Sequence, residues 1–184
     1  MNFLSVTIAE YGILAFIDLW WYNKLYFYFK SAIIKKGQSL MKSKILWISA
    51  GGTFSCLKTE KGLSPASDKQ FMNSILSDNA DITDIADISP YPLMNIDSTE
   101  MSISDIKLIA SEINKQINNF DGILITHGTD TMAYTAALLS VMLENIPVPV
   151  VITGSQKPYF SDDTDAKQNF KDAFSAVCEK SSNA

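Results

Sequence analysis

From about residue 45 onward, short apolar runs alternate with stretches whose apolar residues recur every three or four positions. Ile45-Leu46-Trp47-Ile48 is closed by Ser49-Ala50-Gly51-Gly52, the pattern of a buried strand and a tight turn. Thr53 stands at the exit of that turn. Thr59 to Ser67 carries charges, Gly62 and Pro65, and reads as an exposed loop placed to act as a lid. Asp68 to Leu76 reads as a helix with Phe71, Ile75 and Leu76 inward. Ile82 to Ile88 is an ambiguous alternation, taken as a strand near its end, and Tyr91 to Thr99 is read as a loop. Ile106, Ile109, Ile113 and Ile117 form the apolar stripe of a helix over 103–118, with Thr99 or Ser102 available as its cap.

The densest pattern follows. Ile123 to Thr126 is a second buried strand, bounded upstream by Asp121-Gly122. It breaks at His127-Gly128 and restarts at Thr129 with helical spacing: Met132, Ala136, Leu139 and Leu143 share a face. Thr129 or Asp130 is expected to cap this helix, whose N-terminal N–H groups favour an anion. Val148 to Ile152 is a third buried strand ending in Thr153-Gly154-Ser155-Gln156, and a last helix is expected from about Asp163 to Cys178. Strands and helices therefore alternate, which predicts an α/β fold: a mostly parallel sheet with helices on both faces. Ligands of such sheets bind beyond the carboxyl ends of the strands, where strand order reverses. Those ends carry Thr53, Thr129 with Asp130, and Ser155, and the loop with Asp97, Ser98 and Thr99 is placed to join them.

Residues 1–40 have a different composition and set a boundary near residue 40. They hold ten of the chain's twenty aromatic residues. The apolar stretch 13–29 is interrupted by Asp18, Asn23 and Lys24 and is short against the ~20 residues a membrane span needs. Lys30, Lys35 and Lys36 after it suit a cytoplasmic C-terminal flank. Three readings compete: upstream sequence translated before a true start at Met41, a membrane or interfacial anchor through 13–29, or a segment of the core. No secretory signal pattern is present.

Composition narrows the chemistry. The 184 residues suffice for one domain with a real core. Net charge is −5 and all 15 basic residues are lysines, so no guanidinium fork exists to read phosphates or bases, and nucleic acid is not expected as a partner. Cys56 and Cys178 have no metal or redox spacing, and His127 is the only histidine, so no histidine-rich metal site is expected. No glycine-rich nucleotide pattern occurs. Hydroxyls, one carboxylate and helix N-termini suit a small zwitterion, its amine on Asp130 and its carboxylate on hydroxyls and N–H groups.

Gly51-Gly52-Thr53, Asp97-Ser98, His127-Gly128-Thr129-Asp130-Thr131-Met132 and Thr153-Gly154-Ser155-Gln156, in this order, resemble the bacterial L-asparaginase family, most of all its cytoplasmic type I branch. The resemblance covers about Lys44 to Cys178. It implies a Rossmann- or flavodoxin-like N-terminal domain over 41–184 and hydrolysis of L-asparagine to L-aspartate and ammonia without metal or organic cofactor. By resemblance, Thr53 is the nucleophile of an acyl-enzyme, Thr129 the second catalytic threonine, and Asp130 completes the catalytic set while holding the substrate amine. Ser98 holds the α-carboxylate with Asp97 and Thr99 alongside, and Ser155 lines the leaving-group side. His127 is structural in the family, set at the strand end, and not the base.

Two departures shape the expectation. The family's next strand supplies a lysine that works with the threonine of the HGTDT block, and Lys157, Lys167, Lys171 and Lys180 do not match it. The family's smaller C-terminal domain, which completes the neighbour's site in a homo-oligomer, is absent too. The chain thus reads as an N-terminal domain incomplete at its C-terminal end, truncated, with impaired catalysis. Leu63 stands where several family members have a tyrosine near the nucleophile. A non-catalytic asparagine-binding domain or decaying gene product is one alternative. The glutaminase subunit of a tRNA-dependent amidotransferase, acting on L-glutamine, is another.

Overall fold

The computed structural model describes residues 6–9, 12–14, 42–60 and 62–178, the first two stretches by backbone alone. Its elements in chain order are β1 (Val6–Ala9), β2 (Gly12–Leu14), β3 (Ser43–Gly51), β4 (Cys56–Thr59), β5 (Gly62–Pro65), α1 (Lys69–Ser77), α2 (Ala80–Thr83), β6 (Ala86–Ile96), α3 (Ile103–Gln116), β7 (Gly122–Thr126), α4 (Met132–Met142), β8 (Val150–Thr153) and α5 (Ala166–Cys178).

Strands β8, β7, β3 and β6 are neighbours in that order and all parallel. Strand β1 adds antiparallel to β8 and β2 to β1, so backbone from the stretch before Met41 shares this sheet. The rest of the apolar stretch 13–29 lies outside the described residues beyond position 14, and so does its reading as an anchor. No described helix is long and apolar enough to cross a membrane. The three central strands β3, β7 and β8 are apolar on both sides because both faces are covered. Leu46, Ile48, Ile123, Ile125, Val150 and Ile152 face α3 and α4 through Ile109, Ile113, Ala136 and Leu139. The alternate residues Ile45, Trp47, Leu124 and Val151 face α1 and α5 through Ile75, Phe170, Phe174 and Val177. Trp47 anchors that second layer, its ring 4.8 Å from Phe170 and its Nε1–H donating to Thr126 Oγ1 at 3.1 Å.

Three elements differ from the expectation, each for a physical reason. Strand β6 runs on through the expected loop to Ile96 and includes Pro90 and Pro92. Among the described residues it is an edge strand paired only with β3, so alternate N–H groups have no described neighbour to serve and two prolines two apart are tolerated. The ambiguous alternation at 82–88 is a helical turn at its start and, as expected, strand near its end, from Ala86. The expected loop 59–67 is an exposed hairpin, β4 on β5, turned at Gly62 with φ of 110° and tied by Thr59 Oγ1 donating to Gly62 O at 2.8 Å. Helix α4 starts at Met132, and neither Thr129 nor Asp130 caps it, because their side chains are engaged elsewhere. Of the two caps offered for α3, Ser102 serves, in a reciprocal box with Asp105.

Candidate active site at the strand ends

Numbered along the chain, the parallel strands lie in the order 2-1-3-4, so direction reverses between β3 and β7. The turns after those two strands meet there. Gly52 has φ of 78°, and a Cβ built on it would lie 2.5 Å from Gly128 N. A Cβ on Gly128 would lie 2.5 Å from Ser98 Oγ. Three loops, after β3, β6 and β7, can therefore close on one another only because both positions lack a side chain. Gly52 N–H also donates to Ile96 O at 3.1 Å, tying the first turn to the end of β6.

The hydroxyls and carboxylates sit around this contact. Ser98, 2% exposed, donates from Oγ to Asp130 Oδ2 and accepts from Asp130 N, both at 3.3 Å. Thr131 Oγ1 donates to Ser98 O at 2.8 Å. The predicted pair Ser98 and Asp130 is thus brought together across two strand ends, with the Asp130 carboxylate exposed. Asp97 and Thr99 bind each other: Asp97 Oδ1 accepts from Thr99 N at 2.9 Å and Thr99 Oγ1 at 2.8 Å. The backbone N–H first and then the hydroxyl hold the Asp97 carboxyl below its ordinary range.

Thr53 is half-buried and opens the helical turn Thr53–Ser55; among the described residues its hydroxyl has no hydrogen-bond partner. Cys56 lies under the same turn, its thiol donating to Gly52 O at 3.5 Å, and burial followed by the Asp97 charge pushes that thiol up, so it stays neutral. Thr129 accepts at Oγ1 from Gln156 Nε2 at 3.0 Å, which leaves its own proton free to point outward. Ser155 is buried and donates to Lys157 O at 2.6 Å, so its hydroxyl shapes the turn after β8.

Sequence reasoning assigned no role to Gln156, Asp165 or Asn169. Asp165 accepts from Gln156 N at 3.0 Å and Lys157 N at 3.1 Å, and Asn169 Nδ2 donates to Gly154 O at 3.0 Å. The spacing of four between Asp165 and Asn169, at the start of a helix that follows a Gly-Ser turn, was the available signal. The lysines of this region are committed to carboxylates: Lys157 to Asp163, Lys167 to Asp78 and Lys171 to Asp81. Lys180 lies outside the described residues. Among the described residues no group of three His, Cys, Asp or Glu side chains is placed to hold a metal.

His127 is wholly buried behind the site and burial lowers its pKa. The unfolded chain takes up a proton near 6.5 and the folded chain only at lower pH. The unfolded state binds more protons between those values, so this contribution is fully present above about pH 6.5 and is lost as pH falls toward the folded value. Urea midpoints measured from pH 8 to pH 5 are expected to decline below about pH 6.5 in the parent and to lose that decline in His127→Gln. An identical decline in the variant would remove His127 as its source.

The family profile described as Asparaginase, N-terminal, matches residues 44–184. An L-asparaginase from Thermococcus kodakarensis is 37% identical over 130 residues, 71% of this chain and 39% of its own. A subunit of the glutamyl-tRNA(Gln) amidotransferase from the same organism is 49% identical over 90 residues, 48% of this chain and 20% of its own. Among solved structures, the crystal structure of L-asparaginase I from Vibrio cholerae superposes with a TM-score of 0.68 at 31% identity, covering 74% of this chain and 41% of that one. The chain spans about 40% of the length of the L-asparaginases it matches.

Proposed function

The chain belongs to the asparaginase family, and from that footing we propose that residues 41–184 form an asparaginase-like N-terminal domain that binds L-asparagine at the β3–β7 switch and hydrolyses its side-chain amide. The observation that carries this reading is the Ser98–Asp130 contact across two strand ends, with Thr53 at the third. The substrate ammonium pairs with the exposed Asp130 carboxylate. As the ammonium takes over Asp130, the Ser98 hydroxyl proton turns to the α-carboxylate, which also accepts from neighbouring N–H groups, with Asp97 and Thr99 bordering it. Thr53 Oγ then faces the amide carbon. Its attack forms a C–O bond, backbone N–H donors stabilise the oxyanion, the hydroxyl proton passes to the departing nitrogen, and ammonia leaves. Water opens the ester, releasing L-aspartate and restoring the hydroxyl. Thr129, held by Gln156, is the neighbour through which that proton moves, and the turn of Ser155 shapes the leaving-group side.

A neutral threonine needs a base or a cation beside it. Among the described residues Lys157, Lys167 and Lys171 pair with aspartates and none of them is placed to serve Thr53, so binding is expected to be intact and turnover slow, by about 10²–10⁴, the scale of one acid–base group.

Calorimetric titration of the whole chain with L-aspartate, the product and a stable ligand, tests the binding half. Asp130→Asn is expected to weaken binding about 10- to 100-fold, the scale of one charge-assisted hydrogen bond. Absence of binding in the parent, or equal affinity in the variant, would defeat the assignment.

The 90-residue match to an amidotransferase subunit favours one second reading, action on L-glutamine in a tRNA-dependent amidotransferase. Ammonia release from L-glutamine faster than from L-asparagine selects it.

A further inference from the structure

We propose that His127 is a positioning residue: its ring, carrying its proton on Nδ1, bridges Thr135 of α4 to the Gly128 carbonyl and so sets the peptide from which Thr129 and Asp130 project. Both ring nitrogens are engaged. Nδ1 lies 2.7 Å from Gly128 O, which only accepts, so Nδ1 must carry a proton. Nε2 lies 3.1 Å from Thr135 Oγ1 and, in a neutral ring, accepts that hydroxyl's single proton. His127 and Thr135 are both 0% exposed, and no carboxylate is among the ring's hydrogen-bond partners to stabilise a second proton.

The residue is held from three sides. Its backbone N–H donates to Thr153 O of β8 at 2.9 Å, its ring reaches α4, and its other nitrogen grips the next peptide. That peptide belongs to Gly128, which is wedged between Gly52 and Ser98 with no room for a methyl group. A carbonyl released from Nδ1 would let the peptide rotate, and Thr129 and Asp130 follow it directly in the chain. The functional consequence rests on the proposed roles of Thr129 and Asp130; the geometry does not.

The test uses the whole chain with its imidazole nitrogens labelled with ¹⁵N, where a single histidine gives one pair of ring resonances. The parent is expected to show the Nδ1–H tautomer. Thr135→Val removes the donor at nearly constant shape; it is expected to shift the Nε2 resonance and weaken L-aspartate binding about tenfold. Thr135→Ser restores the hydroxyl and is expected to recover both. An Nε2–H tautomer in the parent overturns the assignment, as does parental affinity with parental ring resonances in Thr135→Val. If Thr135→Val does not fold, the parent tautomer and the serine variant decide. If the parent binds no L-aspartate, the proposed function fails by itself. The ring resonances and the Gly128, Thr129 and Asp130 amide shifts in Thr135→Val still decide the role of His127.

Discussion

Gly52→Ala is expected to dismantle the site and to destabilise the fold by about 2–6 kcal/mol. Two costs add. Gly52 holds φ of 78° with ψ of 179°, a region essentially reserved for glycine that costs a residue with a Cβ about 1–3 kcal/mol. The added methyl would also meet backbone, the Gly128 N and Cα, and not the yielding end of a side chain. Overpacking a tight contact typically costs about 1–3 kcal/mol. Relief requires the turns after β3 and β7 to separate, and that movement carries Thr53 away from Ser98 and Asp130. L-Aspartate binding should therefore disappear together with a lower urea midpoint. Gly62→Ala is the matched control: its φ of 110° is also strained, yet nothing lies within 4 Å of the added Cβ. It should lower the midpoint and leave binding unchanged. Binding that survives Gly52→Ala would mean the Gly52–Gly128 contact does not organise the site.

Thr53→Ala is expected to bring ammonia release from L-asparagine to background, a fall of about 10³ or more where the parent rate allows it to be seen. The same variant should bind L-aspartate within a few-fold of the parent and keep its urea midpoint, because among the described residues the Thr53 hydroxyl has no partner to lose. This pairing of lost turnover with retained binding separates a nucleophile from a ligand contact. Asp130→Asn should show the opposite order, with affinity failing first. Parent-like ammonia release from Thr53→Ala would place the nucleophile elsewhere.

The two experiments probe different layers of the same design. One asks whether the strand ends must touch, the other what chemistry they hold once they do. The exposed β4–β5 hairpin follows Thr53 directly, with Leu63 54% exposed on its outer strand.

Much of this was legible in the chain itself. The buried strands at 45–48, 123–126 and 150–152 were readable because both of their faces are covered, so their residues are uniformly apolar, and the helices because burial repeats every three or four residues. Alternation of the two kinds was enough to imply a parallel sheet and to direct attention to strand ends carrying Thr53, Ser98 and Asp130. Local chemistry misled where a distant neighbour supplied the energy. Pro90 and Pro92 argue for a loop until β6 is seen to be an edge strand with β3 as its single partner among the described residues. Thr129 and Asp130 look like helix caps until Gln156 and Ser98 are found to bind them from other strand ends. Such contacts are separated by 27 and 32 positions, and no periodicity encodes them. Burial and propensity act over a few residues, so the central buried strands and the amphipathic helices could be read along the chain. Which turns touch could not be read there, because the closeness of Gly52, Gly128 and Ser98 depends on strand order and on the space left when three loops meet.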